Sequence, residues 1–228
     1  MKPHVPGIPP ERIMDNVPED YTGPLMFALW EDQNFPWQER DRGERVDVER
    51  WRRFDLNDKG PDGPIAPGGV LAPEWHEPLQ RRLDGPEVLK PEWDIIGEPS
   101  DMSQRVHDVF VAHGEPQNGY FMPYDILRPG GLPPVRRYMM VNQNVTRAVI
   151  EESIPPRAKW MASWIDDEGF ALVDASVIGL RHNVRIFDLR YTMTGTFLEA
   201  LGDVFADNVK IRPVGVATRD EWLARRAR

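Results

Sequence analysis

The chain has 228 residues, 40 % of them hydrophobic, with 37 acidic against 28 basic side chains, a formal charge of −9 and no cysteine. This composition is typical of a globular protein, and the lack of cysteine excludes disulfides, thiolate metal sites and a cysteine nucleophile. The negative charge disfavours nucleic acid as a partner and favours a basic protein, although solubility alone is the simpler explanation of such a charge. Because no stretch is suited to a secretion signal or a membrane span, we expect a cytoplasmic protein with no membrane partner.

The N-terminal part is rich in turn-forming residues, since 15 of the 23 prolines lie among residues 1–100. A short apolar run at residues 24–30 predicts a strand, and residues 46–54 have the pattern of a helix. Gly and Pro predict a surface loop at residues 60–69. We therefore expect residues 1–90 to form a loop-rich region that packs on a main domain of residues 91–228.

The main domain begins with a strand-helix-strand pattern. Residues 93–96 predict the first strand, and apolar residues at helical spacing predict a helix at residues 103–113. Ser100 or Asp101 is the expected N-cap of this helix, and Gly114 is its expected end.

Strands follow this helix, and a terminal helix closes the chain. Extended runs at residues 118–127 and 135–143 predict two strands, and the apolar residues 170–173 predict a third. Residues 219–228 have the pattern of a final helix, with Thr218 as its N-cap.

The second half of the main domain repeats the order of the first. A strand is predicted at residues 184–190, a helix at residues 194–205 and a strand at residues 209–214. The alignment of the two halves places Met102 over Met193, Val106 over Phe197 and Pro123 over Pro213. Either chance similarity of apolar patterns or a structural repeat explains this match. The predicted fold is α+β, with two similar strand-helix-strand units that form a mixed or antiparallel sheet on which helices pack.

Motifs of known chemistry are missing from the sequence. The five histidines have no spacing that puts two imidazoles on one metal ion, and no nucleophile elbow, phosphate loop or dinucleotide fingerprint occurs. We therefore expect no cofactor, no metal ion and no catalytic residue. Paired carboxylates occur at Glu151 and Glu152, and solvated loop positions are the simpler interpretation of such a pair.

One segment combines aromatic and acidic side chains in the way that protein-binding patches do. Two tryptophans four residues apart are followed by three consecutive carboxylates: Trp160, Trp164, Asp166, Asp167 and Glu168. In a binding patch the aromatic rings supply binding energy and the carboxylates steer a basic partner. The alternative is that the two tryptophans pack into the core from one side of a short helix.

Residues 93–216 resemble the immunity protein 11 family of bacterial polymorphic toxin systems. The family has a strand, a helix, a proline-containing strand and a tyrosine-containing strand ending in Val-Asn, followed by a second copy of similar elements. The matching segments here are residues 120–127, 137–143, 170–174, 186–187, 193–201 and 209–215. Residues 1–90 have no counterpart in this comparison.

The resemblance implies an immunity protein that neutralises a cognate bacterial toxin by direct binding, with the toxin encoded next to it. It brings no catalytic residues. One alternative is an enzyme or toxin domain that uses carboxylates or the histidines His107, His113 and His182 in a cleft. Another alternative is a structural or assembly protein. A homodimer is compatible with an immunity protein and with an assembly protein.

Overall fold

The computed structural model describes residues 3–31, 43–57, 65–66, 70–83, 102–114, 120–141, 146–153, 170–179, 181–186, 190–205 and 209–226. Within these residues the fold is α+β, as the sequence predicted, with two five-stranded mixed sheets and one two-stranded sheet. The chain divides into two compact units. Unit 1 consists of Met1–Glu31, Asn144–Asp203 and Val209–Arg228, and unit 2 consists of Asp32–Gln143 and Val204–Asn208. No helix in the described ranges is both long enough and apolar enough to cross a membrane.

Unit 1 contains one of the five-stranded sheets. Its strands are β1 (Leu25–Glu31), β9 (Leu172–Asp174), β10 (Asn183–Ile186), β11 (Arg190–Thr194) and β12 (Val209–Ala217). Their order across the sheet is β10-β11-β1-β12-β9, and only the pair of β12 with β9 is parallel. The helices of this unit are α3 (Ala175–Ile178), α4 (Gly195–Leu201) and α5 (Arg219–Arg226).

Unit 2 contains the other two sheets. The strands of its large sheet are β2 (Gly43–Val46), β5 (Leu79–Leu83), β6 (Met102–Ser103), β7 (Tyr120–Leu127) and β8 (Val135–Val141). They lie in the order β2-β5-β7-β8-β6, and the pair of β5 with β7 is parallel. Strands β3 (Ile65–Ala66) and β4 (Val70–Leu71) form the small sheet, and the helices are α1 (Val48–Asn57) and α2 (Gln104–Ala112).

Four of the five strands in each large sheet share one pairing scheme. In unit 2, β6 leads into α2 and β7 follows it; in unit 1, β11 leads into α4 and β12 follows it. In both units the strands before and after the helix pair with one shared antiparallel strand, which is β8 in unit 2 and β1 in unit 1. A parallel strand, β5 or β9, pairs with the other side of the strand that follows the helix. The repeat inferred from the sequence is therefore present as a repeat of structure.

The register shows that the repeat holds residue by residue. Tyr138 of β8 pairs with both Met102 and Pro123. Phe27 of β1 pairs in the same way with both Met193 and Pro213. Met102 and Met193 are fully buried. The sequence alignment of the two halves thus identifies structurally equivalent positions. The strand register adds one more equivalence, Phe27 with Tyr138.

Both repeated helices start with the same kind of N-cap. The Ser103 hydroxyl accepts a hydrogen bond from the Val106 amide at 3.4 Å, and the Thr194 hydroxyl accepts one from the Phe197 amide at 3.3 Å. Ser or Thr at this position satisfies one of the amides that the first turn leaves without a helical partner. The cap expected at Ser100 or Asp101 was wrong, because residues 102–103 pair with β8 as a strand and the helix starts only after them.

Two further sequence-based assignments need correction. The strand predicted at residues 184–190 falls on two antiparallel strands, β10 and β11, in which Ile186 pairs with Arg190, and residues 187–189 lie outside the described residues. The helix predicted to reach residue 205 ends at Leu201. The next residue, Gly202, has φ +66°, a backbone conformation that glycine adopts readily and that ends the helix. Strand pairing brings β1 together with β11 and β12 in unit 1, and the boundary expected at residue 90 stays a prediction.

The N-terminal segment of unit 1 covers the edge of β12. Three alternate carbonyl groups on this edge accept hydrogen bonds: Val209 from the Arg12 guanidinium at 3.1 Å, Ile211 from the Met14 amide at 2.9 Å, and Pro213 from the Asn16 amide group at 3.1 Å. The nitrogen of Pro213 points to the same side as its carbonyl. The missing N–H therefore costs no bond to β1, which explains why a proline is tolerated in this strand.

Candidate functional site

The residues predicted as a binding patch, Trp160, Trp164, Asp166, Asp167 and Glu168, lie outside the described residues. That hypothesis stays a prediction. The histidines named for the alternative hypothesis do lie within the described part of the chain, and each has contacts of its own. His113 donates from Nδ1 to the Val109 carbonyl at the end of α2 (2.9 Å), and His182 of unit 1 lies 3.2 Å from the Thr194 hydroxyl.

His107 lies in an aromatic cluster on the surface of unit 2. Its ring stacks on Tyr138 with a centroid distance of 3.9 Å and an interplanar angle of 18°. Phe121 meets the same imidazole edge to face at 4.7 Å and also contacts Phe110. Helix α2 is thereby held against β7 and β8, and the His107 side chain is 18 % exposed.

A chain of hydrogen bonds runs along the edge of this stack. The Tyr138 hydroxyl donates to Gln104 Oε1 at 2.5 Å, and Gln104 Nε2 donates to Asp108 Oδ1 at 2.7 Å. His107 Nδ1 lies 3.2 Å from the same carboxylate oxygen. The hydrogen bond from Gln104 lowers the pKa of Asp108, and the contact with His107 adds to this effect. The result is a fixed carboxylate anion at the surface, 64 % exposed.

A cross-strand ion pair extends the same sheet face. Arg136 of β8 and Asp125 of β7 are in register, with Nε of the arginine 2.5 Å from Oδ1 of the carboxylate. The hydrogen bond to Asp125 raises the pKa of Arg136, and Tyr138 contributes in the same direction. We call the connected residues the polar face of unit 2. It consists of Gln104, His107, Asp108, Phe121, Asp125, Arg136 and Tyr138.

The equivalent positions of unit 1 provide an internal comparison. Five polar or titratable residues of the polar face correspond there to residues without polar side chains: Gln104 to Gly195, His107 to Leu198, Tyr138 to Phe27, Asp125 to Gly215 and Arg136 to Leu25. Leu198 and Phe27 are buried, at 0 % and 5 % exposure. The pairing scheme that the two units share therefore does not by itself require polar side chains at these places.

A second concave site lies in unit 1. It is a cleft of about 360 Å³, lined among others by Arg147, Glu151, Glu152, Asp174 and Arg219. Its charged groups have structural partners: Glu152 forms an ion pair with Arg219 and raises the pKa of this guanidinium, and Asp174 accepts from the Ser176 amide at 2.9 Å as the N-cap of α3. The two paired carboxylates of the sequence therefore differ in their contacts. Glu152 forms the ion pair with Arg219, and Glu151 is exposed beside it.

The polar face brings several polar and titratable groups together. It offers a carboxylate, an arginine that is already paired, an imidazole and a phenol, all held by mutual contacts. Within the described ranges, no group of three or more His, Asp or Glu side chains is placed to hold a metal ion. No protein-family model matches the chain, and searches of curated proteins and of solved structures found no similar protein.

Proposed function

We propose that the protein is a binding protein that neutralises a cognate bacterial toxin in the cytoplasm, and that the polar face of unit 2 contacts the toxin. The observation that carries the proposal is the internal comparison, in which unit 1 keeps the fold with apolar residues or glycine at five positions where unit 2 exposes polar groups. The resemblance of residues 93–216 to the immunity protein 11 family is the reason for proposing a toxin as the partner.

The polar face has the composition of a binding surface. Aromatic residues provide large contact areas at small entropic cost, and charged groups at their rim add specificity and faster association. Here the His107 and Tyr138 rings form the aromatic part, and Asp108 and Arg136 form the charged rim. Because the side chains hold one another in place, little conformational freedom is lost on binding.

The test is protection of cells from the product of the adjacent open reading frame. This product is expressed alone and together with the protein, and survival and co-purification are measured. The Asp108→Lys variant is expected to lose protection and co-purification. Glu199→Lys is the matched control, because Glu199 is the equivalent exposed carboxylate of α4 in unit 1. An adjacent product that is harmless or not bound, or equal loss in both variants, would refute the proposal.

A further inference from the structure

We infer that Asp108, together with the stacked rings of His107 and Tyr138, is a receptor for an arginine side chain of a basic protein partner. This inference rests on the proposed function, because it names the chemistry that the same surface recognises. It depends on the free side of one carboxylate and on the aromatic surface beside it. The geometry of both is fixed by the contacts of the polar face.

The carboxylate of Asp108 is held by one oxygen. The bond from Gln104 and the contact with His107 both fall on Oδ1. Among the described residues no bond to Oδ2 is found, and the side chain is 64 % exposed. A group that donates to this carboxylate from solvent thus meets an anion whose orientation is already set. The Tyr138–Gln104–Asp108 chain of hydrogen bonds supplies that orientation.

Arginine fits this site better than lysine does. A guanidinium is planar, donates two parallel hydrogen bonds to a carboxylate and stacks on aromatic rings, whereas an ammonium is a compact, strongly hydrated charge. The unit already uses this chemistry internally. Arg136 binds the Asp125 carboxylate with Tyr138 beside it, and the guanidinium of Arg81 lies 4.9 Å from the Trp51 ring centroid.

The charge of the chain favours the same partner. With a formal charge of −9, the protein attracts a basic surface over distances longer than a direct contact. This long-range attraction accelerates the encounter but does not distinguish arginine from lysine. Selection between the two has to come from the local geometry at Asp108, and this makes the inference testable with simple peptides.

The test uses the full chain and two probes, a hexa-arginine and a hexa-lysine peptide, at an ionic strength of about 0.15 M, where exposed charges more than about 8 Å apart are largely screened. Two-dimensional NMR reports where each peptide binds and how tightly. We expect hexa-arginine to shift the signals of Gln104, Asp108 and Tyr138 and to bind several-fold more tightly than hexa-lysine. Asp108→Asn should weaken hexa-arginine binding about three- to fivefold, as expected for loss of an exposed ion pair.

The control variant is Glu199→Gln, which removes the same charge from the equivalent position of α4 in unit 1 and is expected to change the affinity by less than twofold. Equal weakening by both variants would mean general electrostatic attraction, and equal binding of the two peptides would mean no guanidinium selectivity. Either result overturns the inference. Since no toxin takes part, an arginine site that persists while cell protection fails would refute only the proposed function.

Discussion

Replacing Gly215 by alanine tests how tightly unit 1 is closed around β12. A Cβ at this position would lie 2.7 Å from the Tyr21 Cζ and would also collide with the Leu172 side chain. Tyr21 cannot move away without loss, because its hydroxyl donates to the Pro24 carbonyl at 2.8 Å and accepts from the Val216 amide at 2.9 Å. Overpacking of this kind costs about 1–3 kcal/mol.

Two smaller terms modify this cost. Alanine lowers the entropy of the unfolded chain relative to glycine, which returns about 0.4–1 kcal/mol, and each Tyr21 hydrogen bond that breaks removes about 0.5–1.5 kcal/mol. We expect a net loss of about 2 kcal/mol for Gly215→Ala in urea unfolding. Gly195→Ala is the control with a milder contact, 3.3 Å to Phe27 Cε2. In the Tyr21→Ala background the cost should shrink, and a Gly215→Ala protein as stable as the parent would refute the reasoning.

Three more changes probe the repeat and its surfaces. Thr194→Ala removes the N-cap of α4 and should cost about 1 kcal/mol in thermal unfolding, whereas Thr194→Ser should keep most of it. The hydrogen bond from Gln104 holds the folded-state pKa of Asp108 below its ordinary value, so the carboxylate adds stability above the unfolded pKa and loses this contribution as the pH falls through the folded value. Gln104→Ala should raise the Asp108 midpoint seen by carboxyl NMR, and an unchanged midpoint would contradict the assigned cause. Glu152→Gln breaks the surface pair with Arg219 and should cost less than about 1 kcal/mol, with the difference vanishing at about 0.5 M salt.

The sequence predicted local structure well where a periodic pattern was present. The helix α2, the strands β1 and β12 and the turn glycine Gly114, which has φ +71°, all follow from apolar spacing and from residues with special backbone preferences. Gly130 and Gly131 predicted the hairpin of β7 and β8, but the sequence did not predict the pairing of strands that are far apart in the chain. The pair of β1 with β12 spans most of the sequence and has no local signal.

The candidate site was missed for the same reason. Tyr138 and Gln104 are 34 residues apart, and their contact exists only because β6 pairs with β8 next to the start of α2. A signal was nevertheless present in the alignment of the two halves. It sets His107 over Leu198 and Asp125 over Gly215, so polar residues replace apolar or glycine positions within an otherwise matching pattern. Comparing the halves for chemical differences as well as similarities would have found these two positions.

The two units show how one pairing scheme can give two kinds of surface. In unit 2 the shared antiparallel strand is β8, which follows β7 through a hairpin. In unit 1 it is β1, which follows the N-terminal segment of the chain. That segment places Tyr21 over Gly215 and Ile13 beside Ile211. The β12 positions that it covers therefore carry an apolar side chain or, at Gly215, no side chain. Asp125, at the position of Gly215, keeps enough exposure to hold a charged partner in Arg136. The different route of one strand thus accounts for the difference between Gly215 in unit 1 and Asp125 in unit 2.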